Sequence, residues 1–387
     1  MMVFPALRLL STNHVEDGYY DFIIVGAGST GCVLARRLTE IHHWDVLLVE
    51  AGGEQPQWDL VPAYLTFASD PAGGIDWNYK TVPSPNYCGG VSCPYPRGKC
   101  LGGSSSTNYM IYARGSKSDY DELEKLGNKG WGYNDVLKYF IKSERNGDPE
   151  LASTKYHGSD GPLPIENYRY QDEIGSLTAA GTIQVAAFLS SENPTHNIEP
   201  DLEFGFASTF SNGLIPASYY DGITILPIVL RPKSRGYVKI NSTDPLKPPM
   251  IKPNFLDNKA DVILLLKGMN ISLQILNTPT MKTAGIVADT TEIPGCEQHN
   301  WGTDEYWHCV IRITANTLYH PVSTCKMGPQ SDPSTVVDSK LRVHNTSNLR
   351  IIDASIMPFT VRGHTNACVI MIGEKGADMI KATWLIP

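Results

Sequence analysis

Asp21-Phe22-Ile23-Ile24-Val25-Gly26-Ala27-Gly28-Ser29-Thr30-Gly31 is the stretch that decides the fold. Phe22 to Val25 form a short β-prone apolar run that ends at glycine, the pattern of a fully buried, central parallel strand. Each glycine then has its own task. Gly26 permits a tight strand-to-helix turn, Gly28 lets the backbone approach a pyrophosphate, and Gly31 allows the helix to pack closely. Ser29 and Thr30 open that helix, whose N-terminus suits an anion. Cys32, Val33, Ala35, Arg36 and Leu38 continue at helical spacing, and Asp45 to Glu50 make a second buried strand. Glu50 ends that strand, where a carboxylate accepts hydrogen bonds from ribose hydroxyls and disfavours a phosphorylated ribose. Strand, helix, strand and acid in register predict a dinucleotide site that also includes Ala51.

The rest of the chain bounds what such a site serves. With 387 residues, two packed domains sharing a ligand cleft are expected. A net charge of -8 and no cluster of Lys and Arg argue against nucleic-acid or anionic-membrane partners. Apolar runs such as Val262 to Leu266 are too short for a membrane span. A small-molecule substrate is therefore favoured, and no metal site is expected. The eight cysteines fall mostly in pairs, Cys88 with Cys93 and Cys296 with Cys309, and sequons stand at Asn241, Asn270 and Asn345. Together they lean towards an oxidising compartment and a secreted enzyme, with free buried cysteines in a cytosolic enzyme as the alternative. The first residues carry no convincing signal peptide.

Along the chain, residues 52–103 read as an extended excursion rich in Pro, Gly and aromatics, and Tyr112 to Tyr139 as helical. Gly147 to Glu173 read as a surface loop or lid with a structural His157. Thr182 to Leu189, Thr224 to Leu230, Gly236 to Ile240 and Leu349 to Asp353 read as strands. Lys259 to Leu276 read as a helix after the capping residue Asp257.

Pro96-Arg97-Gly98-Lys99-Cys100-Leu101-Gly102-Gly103-Ser104-Ser105-Ser106-Thr107-Asn108 is a loop of small residues too long and too particular for a generic turn. Here the chain resembles the glucose-methanol-choline oxidoreductase family. That family's first signature runs from the position of Gly98 through Asn108 and Tyr112 to Gly115 and Asp121. The resemblance implies FAD, held by Gly98, Gly102, Gly103, Ser104 and Asn108. Thr107 stands where some members carry a histidine bonded to the flavin, which implies non-covalent FAD. Two C-terminal blocks, Asn316 to Gly328 and Leu349 to Pro358, are also similar to family landmarks. By that resemblance His320 is the general base and His364 the partner that orients the substrate oxygen, while Asp353, Ala354 and Thr365 lie at the cofactor. Imidazoles titrate in the range this chemistry needs.

The implied fold is α/β, a FAD-binding Rossmann-like domain with an α+β substrate-binding domain. The boundaries expected are 19–180 for the first FAD-binding part, 181–320 for the substrate-binding part and 321–385 for the return to the FAD domain. The implied activity is oxidation of an alcohol or sugar, nearest the animal glucose-dehydrogenase-like branch, with oxygen or a quinone as electron acceptor. A hydroxynitrile-lyase-like flavoprotein is the alternative. The family's second signature, Gly-Ala-x-x-Ser-Pro leading into Ser-Gly-Ile-Gly, is absent, with the joint near Ala179-Ala180-Gly181. Its loss should expose apolar surface and weaken cofactor retention, so a non-catalytic product unable to hold FAD is a third reading.

Overall fold

The computed structural model describes residues 18–60, 73–167, 183, 185–192, 199–207 and 222–385. The expected joint at Ala179 to Gly181, the helix before it and the first residues of the chain lie outside them. In chain order the elements begin with β1 (Phe22–Val25), α1 (Ser29–Leu38), β2 (Val46–Val49), α2 (Lys117–Lys125), α3 (Tyr133–Ser143), β3 (Glu144–Asn146), α4 (Pro149–Ala152) and β4 (Leu163–Ile165). They continue with β5 (Val185–Leu189), β6 (Leu202–Ala207), β7 (Thr224–Val229), β8 (Tyr237–Lys239), β9 (Met250–Lys252), α5 (Lys259–Leu276), α6 (Pro279–Thr283), α7 (Asp304–Thr314) and α8 (Thr365–Trp384). The chain divides into two compact units, one of residues 1–77, 97–169 and 321–387, the other of residues 78–96 and 170–320.

In the first unit β1 and β2 pair in parallel, Phe22 opposite Val46 and Val25 opposite Val49, with α1 as the crossover. Leu34, Ala35 and Leu38 of α1 bury against Ile24, Trp44 and Val46, and Ala377 and Ile380 of α8 close the cluster. A larger core gathers Tyr120, Trp131, Phe140, Ile356 and Met371. Glu374 of α8 takes Arg37 at 2.7 Å and Lys142 at 3.2 Å, tying α8 to α1 and α3. Buried Glu144 pairs with Arg114, and its Oε1 meets Asn146 Nδ2 at 2.7 Å and His157 Nδ1 at 2.8 Å, which gives His157 a structural place.

Several local expectations change. β1 is not fully buried: Ile23 is 62% and Val25 85% exposed, and Val49 of β2 is 40% exposed. Among the described residues this sheet has two strands only, so side chains patterned for a buried sheet face solvent. The helix expected over Tyr112 to Tyr139 is two helices, because Gly127 and Gly130 adopt positive φ (96° and 82°) between them. The expected lid holds α4 and pairs β3 with β4; a Cβ on Gly158 would meet Ile141 O at 2.1 Å, so the loop lies tightly on the unit. Leu349 to Asp353 makes one bridge, Arg342 to Arg350, and no strand; its β-prone side chains find no ladder partner there. Asn258, not Asp257, caps α5 through Ala260 N–H at 3.0 Å.

The second unit carries the antiparallel sheet β5-β6-β7 with α5 resting on β7, where a Cβ on Gly268 would stand 2.7 Å from Pro227 Cβ. β8 and β9 pair antiparallel beside it in sequence. Disulfides join Cys88 to Cys93 and Cys296 to Cys309. Cys296 packs with Ile293, Tyr306 and Trp307, so the second bridge staples α7 to the loop before it. Cys296→Ala is expected to lower unfolding stability by about 2–4 kcal/mol. Thermal denaturation with and without reductant checks this, since reductant should destabilise the parent and leave the variant's value nearly unmoved.

Candidate cofactor and active site

The glycine turn of the first unit is built by contact between three loops. Gly26 takes φ 96°, and a Cβ on Gly31 would lie 1.9 Å from Gly26 O, so only glycine seats α1 on this turn. Residues 51–53 press onto the 98–103 loop: a Cβ on Gly52 would lie 2.0 Å from Lys99 O, and Leu101 N–H donates to Gly53 O at 2.9 Å. Gly102 N–H donates to Ala27 O at 2.8 Å, and a Cβ on Gly103 would stand 2.8 Å from Gly28 Cα. Gly98 in turn lies on Gly103, its N–H reaching Ser104 Oγ at 3.1 Å. Glu50 is fixed by the N–H groups of Ala27 (2.8 Å) and Gly52 (2.9 Å). Gly28 itself faces open space, with nothing within 4 Å of an added Cβ.

Around that space two long helices begin. Gly28 is the N-cap of α1 and His364 the N-cap of α8. Ser29 Oγ and Ser105 Oγ meet at 2.6 Å, and Asn366 Nδ2 donates to Ser105 Oγ at 2.8 Å and lies 3.4 Å from Ser29 Oγ. Ser105 and Asn366 carry no signal of their own in the sequence beyond their place inside the small-residue loop and in the first turn after His364. Thr30 turns its hydroxyl away to Val369 O at 3.2 Å, leaving its backbone at the helix start. Asn108 braces the loop end, bonding Ser105 O at 3.1 Å and Met110 N–H at 2.5 Å.

The remaining expected residues are placed as follows. His364 is buried and Thr365 begins α8. Asp353 caps the 3-10 turn Ala354–Ile356, accepting from Ser355 N–H at 2.8 Å, and Ser323 Oγ donates to Met357 O at 2.7 Å. His320, half-buried, belongs to the second unit, between Tyr319 and Ser323, which both hold left-handed backbone (φ 63° and 74°). Cys368, close to His364 in sequence, is fully buried, and that burial pushes its thiol up to about 12.

Parallel strands joined by a glycine turn, with helix N-termini converging on a space beside it, define a dinucleotide-binding α/β protein. The GMC oxidoreductase family models match residues 20–199 and 232–373, and the chain belongs to that family. Among similar proteins is a glucose dehydrogenase (FAD, quinone) of Drosophila melanogaster, 29% identical over 98% of this chain and 90% of the relative. A mitochondrial choline dehydrogenase of Mus musculus is 25% identical over 97% and 91%. The first alignment runs over 563 positions, more than the 387 residues here, so a long stretch of that relative has no counterpart in this chain. In fold the chain matches pyridoxine 4-oxidase from Mesorbium loti, with a TM-score of 0.78 at 21% identity over 93% of this chain and 99% of the other. It also matches formate oxidase of Aspergillus oryzae, at 0.79 and 21% over 95% and 98%. No described helix is long and apolar enough to cross a membrane.

Proposed function

We propose that this chain is a FAD-dependent oxidoreductase of CH–OH groups, with a sugar or alcohol as substrate and oxygen or a quinone as acceptor. The observation that carries the reading is the meeting of α1 and α8 N-termini at Ser29, Ser105 and Asn366, beside the open face of Gly28. Two helix N-termini and a side-chain donor suit a diphosphate, so the residues present fit FAD. Thr107, at the position where some family members carry the flavin-bonded histidine, supports non-covalent binding. The cofactor, when bound, supplies the hydride acceptor. His320 takes the substrate hydroxyl proton onto a ring nitrogen while the carbon gives up its hydride, leaving a carbonyl. His364 holds the substrate oxygen and stabilises its developing negative charge. The left-handed residues flanking His320 support its role, since such backbone strain costs on the order of 1–3 kcal/mol and clusters at active sites. We assign the first unit to the cofactor and the second to substrate selection. Two disulfides and exposed asparagines in all three sequons support a secreted enzyme.

The exposed faces of Ile23, Val25 and Val49 favour a second reading, a chain that holds FAD weakly. Both are decided by one absorbance spectrum of the purified 387-residue chain, with added FAD titrated back. A yellow protein near one flavin per chain supports the enzyme; colourless protein that refuses added FAD removes it. Intermediate flavin content, restored by added FAD and accompanied by bright binding of an apolar dye, is the expected outcome.

A further inference from the structure

We propose that Asp119 is a positioning residue for His364, holding the backbone just before it; the catalytic consequence rests on the reading of His364 given above. Asp119 is fully buried in the first turn of α2. Its Oδ2 accepts from the N–H of Ser116 at 2.9 Å and from the N–H of Arg362 at 2.8 Å. Its Oδ1 accepts from Arg362 Nη1 at 2.6 Å. Capping α2 needs only one acceptor, which an asparagine or serine supplies as well. The second oxygen and half of the first are directed at Arg362, two residues from His364.

The surrounding backbone leaves this segment little freedom. A Cβ on Gly363 would lie 2.8 Å from Gly115 N, and one on Gly115 would lie 2.9 Å from Val361 Cβ, so the two segments touch main chain to main chain. Gly363 N–H closes a turn onto Val361 O at 2.9 Å. On the other side His364 is the N-cap of α8, which is largely buried, with its Arg37–Glu374 pair ten residues further along the helix. His364 is thus held between an anchored helix and the Asp119 clamp, with Gly363 alone between clamp and cap. A buried carboxylate so fully hydrogen-bonded fixes geometry because weakening any bond leaves a polar group unsatisfied. Neither Asp119 nor Arg362 belongs to the sequence pattern of the active site; Asp121, the signature position, accepts from Tyr133 N–H at 3.1 Å and fixes the start of α3 instead.

The test compares Asp119→Asn, Arg362→Lys and Glu374→Gln in the flavin-loaded full chain labelled with ¹⁵N-histidine. His364→Gln identifies the His364 ring resonances, so this readout needs no substrate. Displaced His364 resonances in Asp119→Asn and Arg362→Lys, with Glu374→Gln destabilised but unshifted, are expected. His364 resonances unmoved in both clamp variants would overturn the proposal. Arg362→Lys leaves the α2 cap intact and serves should Asp119→Asn fail to fold. Turnover of D-glucose adds a kinetic measure: a loss on the order of tenfold to a hundredfold in kcat with little change in KM is expected, the effect of misplacing an active-site group by about 1 Å. If His364→Gln turns over D-glucose as fast as the parent, the functional reading of His364 fails, while the resonances still decide the clamp.

Discussion

On the proposed reading of His320 as base, replacing it by alanine is expected to slow anaerobic bleaching of bound flavin by a sugar probe such as D-glucose about 10²–10⁴-fold, the usual contribution of a positioned general base. The visible spectrum before substrate addition should be unchanged, because the glycine turn, Glu50 and the Ser29–Ser105–Asn366 cluster all lie in the other unit. Stopped-flow absorbance against D-glucose measures both in one experiment. Loss of the flavin spectrum in the variant would place His320 in cofactor binding, and unimpaired bleaching would remove it as base. The expected pattern is a fall in kcat larger than any rise in KM, since a proton acceptor acts in the transition state and contributes little to ground-state binding.

The second large effect separates two glycines three residues apart in the fingerprint, Gly28 and Gly31. Gly28→Ala places its methyl group in open space, so the apo fold should melt near the parent temperature. That same space is where the proposed diphosphate approaches the backbone. Overpacking there costs about 1–3 kcal/mol, or roughly fivefold to a hundredfold in flavin affinity at about 1.4 kcal/mol per tenfold. Gly31→Ala instead drives a methyl group against Gly26 O at 1.9 Å, and α1 must lift from the turn. It is expected to lose both fold stability and flavin. Flavin titration with thermal denaturation of both variants checks the contrast; a Gly28→Ala chain with parental flavin affinity would show that the cofactor does not pass over this turn.

Much of this was legible because it is local. The strand-turn-helix at Phe22 to Leu38 follows from apolar runs and glycine positions, and Lys259 to Leu276 is a helix with the bounds that its periodicity implies. The expected pairs Cys88–Cys93 and Cys296–Cys309 both form, with Cys309 on α7 and not in a loop. Where expectation and structure part, a neighbour that the sequence pattern does not reveal is responsible. Ile23 and Val25 carry the pattern of a central strand, yet their exposure depends on whether further strands and helices cover them. Leu349 to Asp353 has strand composition but only one bridge partner within reach, at Arg342. Asn258 takes the cap from Asp257 by a one-residue difference in where the helical backbone begins.

The candidate site divides the same way. Gly26 and Gly31 could be named from sequence because the turn's backbone admits glycine alone there, and Gly28, Glu50 and the 98–108 loop because their spacing marks them. Ser105 and Asn366 could not, since their roles come from contact between segments 261 residues apart. Asp119 is likewise invisible beside the signature residue Asp121 until its bonds to Arg362 are seen across 243 residues. By itself the sequence determined the glycine turn and the carboxylate of Glu50 that braces it, because backbone conformation and chemical type are properties of single residues. Only the tertiary structure decided which side chains meet at the helix N-termini, what clamps the segment before His364 and which face of β1 is bare, because those depend on long-range packing.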